Sequence, residues 1–199
     1  LRGELHLGHL DNYLSHPDNR IAQAMTELGS RSADINFKLC QGTLIELEQM
    51  LQQSEIQIAI GNFTRFIEGV TYLELHDEEQ LLCCGSPHPL FGLTPNEVTP
   101  GQVQAAGSVA FGNTEIDAAT GLGPPSATAN TLDGVLMLAL AGQGIAYLPE
   151  HMAAPYISQG KLQRLNSRGA EQRLTFYLAY RDKSERSPLV QEFRDILLR

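Results

Sequence analysis

Residues 130–149 carry the pattern that most restricts how this chain can fold. Apolar side chains recur there at the spacing of one helical face, after a predicted N-cap at Asn130; they are Leu132, Val135, Leu136, Ala139 and Leu140. Gly142 comes where such a helix should end, and residues 145–148 form a short apolar run that is typical of a buried strand. A helix, a Gly-x-Gly turn and a buried strand make an αβ unit, which packs on a parallel sheet. Because these glycines follow a helix, we interpret them as turn and packing residues and not as a dinucleotide-binding fingerprint.

The first 76 residues repeat the same alternation of strands and helices. Strands are predicted at residues 4–10, 35–39, 56–60 and 70–76 from alternating or continuous apolar positions. Pro17 is predicted to open a helix that closes at Gly29, and a second helix follows Gly42-Thr43. This βαβαβ order predicts a parallel sheet with right-handed crossovers.

The rest of the chain shows a less regular order. After a charged turn at residues 77–79, it contains an apolar run at 81–84, turns around a short helix at 92–107, and a strand at 108–111. Residues 121–129 have no clear assignment. A helix at 152–159, a strand at 162–165, an aromatic strand at 174–180 and a closing helix after Ser187-Pro188 complete the prediction.

Composition excludes several classes of protein. With 42% hydrophobic and 19% charged residues, the chain has an ordinary globular composition, and no apolar run approaches the roughly 20 residues of a membrane span. The net charge of −9 argues against binding of nucleic acid by this chain itself. Cys83 and Cys84 are neighbours in an apolar run, so we interpret them as buried thiols of a reducing compartment, with redox sensing as the alternative.

Sequence motifs for catalysis are missing. The chain contains no P-loop, Gly-x-Ser-x-Gly elbow, His-Glu-x-x-His helix or Cys-x-x-Cys pair. Its six histidines are scattered: His6 and His9 should point to opposite faces of a strand, and His88 between two prolines suggests a surface corner. We therefore predict that the chain is not an enzyme and that it needs no cofactor and no metal.

Small polar residues, by contrast, cluster at the predicted strand exits, where open parallel sheets bind ligands and helix N-termini favour anions. Each of them alone is explained more simply as a cap or turn residue. As a set they favour a ligand site, and its candidate residues are Asp11, Asn12, Thr43, Asn62, Phe63, Thr64, Asn113 and Asn130.

The order and spacing of several short motifs resemble the effector-binding domain of LysR-type transcriptional regulators. The resemblance covers essentially the whole chain, with one departure at Gln57, where the family usually has an acidic residue that is not a general ligand contact. The matching motifs are Leu5-His6-Leu7-Gly8, Cys40-Gln41-Gly42-Thr43, residues 56–60, Ser86-Pro87-His88-Pro89-Leu90, residues 141–149, Gly160-Lys161-Leu162, and the closing strand and helix.

This resemblance implies two Rossmann-like α/β subdomains of the type 2 periplasmic-binding-protein kind, with a ligand cleft between them. Subdomain I would comprise residues 1–76 and 173–199, and subdomain II residues 77–172, with chain crossings near Glu78 and Glu171. Asp11, Asn12, Thr43 and the loops 61–65 and 111–114 match the family's effector contacts. The effectors are often small carboxylates or other metabolites, although Asp11 would disfavour an anion at its own corner.

The resemblance also implies a cytoplasmic regulator that binds DNA only through an N-terminal winged helix-turn-helix, which these 199 residues do not contain. It would form a homodimer or homotetramer, in which the helix opening at Pro17 packs head-to-tail near the 131–141 helix of a partner. The alternative from another class is a periplasmic solute-binding protein for transport. An export signal upstream of Leu1 would favour that alternative, whereas the adjacent cysteines and the regulator motifs speak against it.

Overall fold

The computed structural model describes residues 2–31, 34–94, 97–112, 121–165 and 172–199, and it divides into two compact units. Unit 1 comprises Leu1–Asp77 and Thr175–Arg199, and unit 2 comprises Glu78–Leu174. None of the helices in the described ranges is both long and apolar enough to cross a membrane.

The described ranges contain six α-helices and nine strands. The helices are α1 (Ile21–Arg31), α2 (Leu44–Gln53), α3 (Pro100–Ala105), α4 (Leu132–Leu140), α5 (Glu150–Ser158) and α6 (Pro188–Leu197). The strands are β1 (Gly3–His9), β2 (Ile35–Gln41), β3 (Ile58–Gly61), β4 (Val70–Gly85), β5 (Ser108–Phe111), β6 (Pro125–Ala129), β7 (Ala146–Pro149), β8 (Leu162–Arg164) and β9 (Gln172–Arg181).

The sheet of unit 1 confirms the predicted parallel βαβαβ arrangement for its first three strands. β1 lies between β2 and β3 and pairs with both in parallel. β9 then pairs antiparallel with β3, and β4 lies on the other side of β9. The sheet is therefore mixed and not purely parallel, because β9 returns from unit 2 and is not linked to β3 by a helical crossover.

Apolar residues of unit 1 form a core on each face of this sheet. Ile58 and Ile60 on β3 belong to the cluster that α1 and α6 cover, whereas Ala59 between them belongs to the cluster under α2. This alternation follows from the two-residue period of a strand. It also explains why all four residues of β3 are buried: the strand is central and covered on both faces.

The core of unit 2 is built around the second half of β4. This part of β4 pairs antiparallel with β7 and β8, while β5 and β6 form a parallel pair. Ser108 at the start of β5 makes a parallel bridge to Ile145, just before β7. Leu81 and Cys83 pack toward α4 and α5, whereas Leu82 and Cys84 belong to the cluster on the opposite face.

Four local predictions were wrong. The first helix begins at Ile21 and not at Pro17, because residues 13–19 form turns and the Asn19 side chain accepts the Ile21 N–H at 3.0 Å. It also continues past Gly29 to Arg31, whose guanidinium pairs with Glu27 and Glu192.

The second error concerns residues 77–79, which are part of the continuous strand β4 and not a turn. Their charged side chains find partners that sequence spacing does not reveal. Asp77 accepts from Thr175, Glu79 pairs with Arg173, and Glu78 accepts from Gln80 at 2.6 Å. Because these partners satisfy the three carboxylates, an acidic triplet can continue the strand.

The remaining two errors concern His88 and Asn130. His88 is buried and not a surface corner: its Nδ1 accepts the Leu90 N–H at 3.2 Å. The N-cap of α4 is Thr131 and not Asn130, because the Thr131 hydroxyl accepts the Gly134 N–H at 3.1 Å. Residues 121–129, which the sequence left unassigned, contain β6.

Candidate functional site

Three loops meet at the carboxyl edge of the unit 1 sheet, and we call residues 10–20, 42–43 and 62–69 the strand-end loops. Backbone hydrogen bonds join them where the strands end. The Gly42 N–H donates to the His9 carbonyl oxygen at 3.2 Å, and the Leu10 N–H donates to the Ile60 carbonyl oxygen at 3.2 Å. Gly61 permits this close approach, since a Cβ there would lie 2.9 Å from Leu44 Cδ2. The sheet thus brings the loops after β1, β2 and β3 to one edge, where parallel sheets bind ligands.

Thr43 begins α2 at this edge and forms a capping box with Glu46. The Thr43 hydroxyl accepts the Glu46 N–H at 3.3 Å, and the Glu46 carboxylate accepts from the Thr43 N–H at 2.8 Å and from its hydroxyl at 2.9 Å. These bonds hold the pKa of Glu46 below its usual value. Thr43 is exposed and caps α2. The N–H groups of Leu44 and Ile45 lie in the first turn, where the helix itself offers them no carbonyl acceptor.

Asp11 and Asn12 form the turn that directly follows β1, and both are half-buried. Asn12 adopts a left-handed backbone conformation with φ 57°, which asparagine tolerates better than most residues. This conformation turns the chain sharply at the end of the strand. As a result, one carboxylate and one amide are held at the same sheet edge as Thr43.

The three candidates after β3 differ in their surroundings. Phe63 is buried in the core with Leu47 and Leu51, and its ring meets that of Tyr72 edge-on at 5.3 Å between centroids. Asn62 is half-buried and Thr64 is exposed. Phe63 therefore anchors the loop, while the two polar residues on either side of it remain at the edge of the sheet.

The last two candidates do not belong to this edge of unit 1. Asn130 is an exposed residue of unit 2, between β6 and the Thr131 cap of α4. Asn113 lies outside the described residues. Of the eight candidates, the structure therefore brings Asp11, Asn12, Thr43, Asn62 and Thr64 to one sheet edge, together with the anchoring ring of Phe63.

An ion pair beside the strand-end loops was missed by the sequence reasoning. Glu48 on α2 is buried, and its carboxylate accepts from Arg65 Nε at 3.2 Å and from a terminal guanidinium nitrogen at 2.7 Å. The hydrogen bond to Glu48 is the main reason why the pKa of Arg65 is raised. In the sequence, the indication of this pair is that the acidic Glu48 directly follows Leu47, which lies on the buried face of α2. The ion pair fixes the 62–69 loop to α2 and places an exposed cation there.

A stack of four rings orders the first strand-end loop, and the sequence reasoning missed it as well. We call Tyr13, His16, His76 and Phe176 the ring stack. The His16 and His76 rings lie 4.0 Å apart between centroids at an angle of 25°, and His76 stacks on Phe176 at 5.2 Å. The Tyr13 hydroxyl lies 2.8 Å from His76 Nε2. Because its members come from distant parts of the chain, local sequence spacing carries no signal for it.

The cysteines of unit 2 show the predicted burial. Cys83 and Cys84 have no exposed surface, and desolvation raises their pKa to about 12 and about 11. Burial also raises the pKa of the Cys40 thiol. Thiols with such pKa values are protonated at neutral pH and are poor nucleophiles, so these environments favour the structural interpretation over redox sensing.

Comparisons with known proteins agree with the resemblance seen in the motifs. Residues 1–199 match the family model described as the LysR substrate binding domain. The chain is 30% identical over 168 residues to the HTH-type transcriptional activator BauR of Pseudomonas aeruginosa, covering 83% of this chain and 55% of BauR. It therefore spans about half the length of this curated relative.

Solved structures show the same fold. The effector-binding domain of QuiR in complex with shikimate aligns with a TM-score of 0.81 at 18% identity, over 100% of this chain and 96% of that one. The regulatory domain of MetR, a LysR family regulator from Neisseria meningitidis, aligns with a TM-score of 0.70 at 17% identity, over 98% of this chain and 92% of that one.

Proposed function

Because the chain belongs to the family of LysR substrate-binding domains, which are effector-binding domains of transcriptional regulators, we propose that its strand-end loops bind the effector. The family consists of transcriptional regulators and not of enzymes, and its members work in the cytoplasm. Membership therefore favours the regulator over the transport protein that the sequence left as an alternative.

The meeting of three polar loops at one sheet edge is the observation that supports this site. Asp11 and Asn12 offer acceptors and an amide donor, and the first turn of α2 offers backbone N–H groups. Asn62 and Thr64 add an amide and a hydroxyl from the third loop. Such a set suits a small, strongly polar molecule whose hydrogen-bonding groups are close together.

The chemistry at α2 suggests how a carboxylate effector would bind. Glu46 already places a carboxylate on the Thr43 donors, at the end of the helix that attracts anions. An effector carboxylate would take over these donors only if the Glu46 side chain turned away. We therefore propose a small hydroxylated or amino-substituted carboxylate as the effector class, which is consistent with the shikimate bound by QuiR.

Calorimetric titration with a library of small metabolites tests the effector site, using the wild-type chain and Glu46→Gln. Glutamine can still complete a capping box, but it removes the negative charge. A carboxylate effector at Thr43 should bind about fivefold more tightly to Glu46→Gln, since a neutral amide gives up the Thr43 donors more easily than the carboxylate does, by roughly 1 kcal/mol.

The matched control is Glu97→Gln in unit 2. Glu97 accepts from the Thr94 N–H at 2.6 Å and from its hydroxyl at 2.7 Å, the same local chemistry as at Glu46. Its replacement should leave the affinity unchanged. Equal affinities of both variants for a carboxylate effector would refute the site at α2.

We further propose that the rest of the protein carries a winged helix-turn-helix that binds DNA, and that the domain self-associates as a homodimer or homotetramer. The helix-turn-helix in the name of BauR and the share of BauR that this chain leaves uncovered support the first proposal. The net charge of −9 supports it too, because phosphate binding would then depend on another part of the protein.

A further inference from the structure

We propose that His16, Asp18 and His76 form a binding site for a divalent transition metal ion of the Zn²⁺ class. One ligand atom from each residue lies within 4.8 Å of the other two, and all three residues belong to unit 1. The inference goes beyond the proposed effector site, because it concerns a different ligand and different side chains.

The spacing of these atoms is close to that of a coordinated set. Bonds of about 2.0–2.2 Å to zinc place neighbouring ligand atoms roughly 3.3–3.5 Å apart. Ligand atoms within 4.8 Å of one another therefore need to close by at most about 1.5 Å. Asp18 can supply this movement, because it is exposed and lies in a turn, whereas His16 is buried and held in the ring stack.

Hydrogen-bond partners are compatible with a lone pair on one nitrogen of each imidazole. His76 Nδ1 lies 3.4 Å from the Asp77 carbonyl oxygen, which only accepts, and the tautomer with its proton on Nδ1 leaves Nε2 to accept from the Tyr13 hydroxyl. His16 Nδ1 accepts the backbone N–H of Asp18 at 3.1 Å. A metal binds the neutral form of each ring, in which such a lone pair is available.

The surroundings of His76 resemble those of a metal-bound histidine in a further respect. A ligating imidazole usually donates its other N–H to a carbonyl or carboxylate, and His76 already has this arrangement with Asp77. The metal would replace the Tyr13 hydroxyl at His76 Nε2 and the Asp18 N–H at His16 Nδ1. His76 stacks on Phe176, and His16 makes a tilted contact with the same ring. These contacts restrain rotation of both imidazoles, so that less side-chain entropy remains to be lost on binding.

Two imidazole nitrogens and one carboxylate oxygen suit zinc, cobalt and nickel better than magnesium or calcium, which prefer oxygen ligands. Three protein ligands leave a fourth position open for water or another small ligand. The two histidines are far apart along the chain, so local spacing carries no metal motif, and the fold alone places His76 on β4 beside the 10–20 loop.

Titration of the chelator-treated chain with ZnCl₂, followed by calorimetry, tests the proposal. We expect one Zn²⁺ per chain to bind at micromolar concentrations and neutral pH, with weaker binding at pH 5 as the imidazoles become protonated. Bound Co²⁺ should show visible absorption typical of nitrogen and oxygen ligands and should lack thiolate charge-transfer bands. Thiolate bands would move the site to the cysteines and overturn the assignment.

Three variants locate the metal. Asp18→Asn and His76→Gln should each weaken Zn²⁺ binding at least about tenfold, which is the lower end of what even outer-shell partners contribute. His6→Gln is the control, because His6 also lies beside a carboxylate, with Nε2 2.9 Å from Glu4. It should leave Zn²⁺ affinity unchanged.

Melting curves without metal identify any variant that fails to fold, and Asp18→Asn is the decisive variant because the residue is exposed. Unchanged affinity in a folded Asp18→Asn, or loss of binding in His6→Gln, would overturn the proposal. Zn²⁺ binding without any metabolite binding would instead count against the effector site only, so the two proposals can fail independently.

Discussion

Thr43 shows that one side chain can be committed to its helix and still lie in a ligand site. Its hydroxyl caps α2 and also donates to Glu46, so the capping box must open before a ligand can use that donor. The Thr-x-x-Glu pattern is local, and the cap could therefore be predicted from the sequence. The role of Thr43 toward a ligand could not, because it depends on loops that only the fold brings to the same edge.

Replacement of Thr43 by alanine separates these two roles. Thr43→Ala should lower the free energy of unfolding by about 1 kcal/mol through loss of the cap. If Thr43 also contacts the effector, affinity should fall by about 0.5–1.5 kcal/mol, or by up to about 3 kcal/mol for a charged partner. Calorimetry with melting curves of the same variant measures both quantities.

Thr99→Ala is the matched control, since Thr99 forms the equivalent capping box with Gln102 at the start of α3 in unit 2. It should lose similar stability and no affinity. Should Thr43→Ala behave in the same way, Thr43 is a cap and nothing more.

At the scale of elements, local periodicity and short connections were sufficient to predict β1, β2, β3 and the helices between them. The sequence did not predict the antiparallel entry of β9, the parallel pairing of β6 with β5, or the single long strand β4. Each of these depends on partners far away in sequence. The ring stack and the Glu48–Arg65 pair escaped prediction for the same reason.

The pairing of β1 with β2 should depend on pH through Glu4. Hydrogen bonds from His6, Lys38 and Asn36 lower the pKa of Glu4 from 4.5 to about 2. A carboxylate with a lowered pKa in the folded state contributes stability above its unfolded pKa and loses this contribution as the pH falls. The wild type should therefore melt above Glu4→Gln at neutral pH, and this difference should shrink between about pH 4.5 and 2.

Glu74→Gln is the control for this measurement, because Glu74 is an exposed carboxylate on β4 of the same unit. It should show no comparable pH-dependent difference from the wild type. A difference in melting temperature between the wild type and Glu4→Gln that stays constant down to pH 2 would mean that protonation of Glu4 does not weaken the pairing of β1 with β2.

Gly85 controls how closely β4 can pack against α4. A Cβ at this position would collide with the Ala139 carbonyl oxygen and lie 2.8 Å from Leu140 Cα, both of which are backbone atoms that cannot rotate away. Gly85→Ala should therefore destabilise the chain by about 1–3 kcal/mol or more in urea unfolding. Gly101→Ala is the control, since its Cβ would meet no atom within 4 Å, and it should raise stability by at most about 1 kcal/mol. Equal effects of the two substitutions would contradict this packing argument.

At the scale of the whole molecule, charge predicts how the chain behaves toward DNA. The net charge of −9 opposes the phosphate contacts that supply most non-specific DNA affinity. The chain alone should show no tight, sequence-dependent binding to duplex DNA in a fluorescence anisotropy titration at physiological salt. A longer form of the protein that includes the proposed helix-turn-helix should bind. Tight and specific binding by residues 1–199 alone would contradict the proposed division of labour.

Self-association is the second expectation at this scale, and the structure changes its physical basis. Exposed apolar surface on both helices would be the simplest physical reason for the proposed head-to-tail contact. The outward positions of α1 are instead small or polar, namely Ala22, Gln23 and Thr26, whereas α4 exposes 64% of Met137. Small side chains on α1 would still allow close approach of a partner helix, so a contact centred on Met137 is the form that we now expect.

Sedimentation equilibrium at high micromolar concentration should therefore show a dimer or tetramer for the wild type and a monomer for Met137→Glu, because a carboxylate at the centre of the contact would lose its hydration without gaining a partner. Ile45→Glu is the control: Ile45 is an equally exposed apolar residue, at 60%, but lies on α2. It should leave the association state unchanged. A wild-type chain that stays monomeric would contradict self-association of this domain. A Met137→Glu variant that stays associated would instead place the contact on another surface.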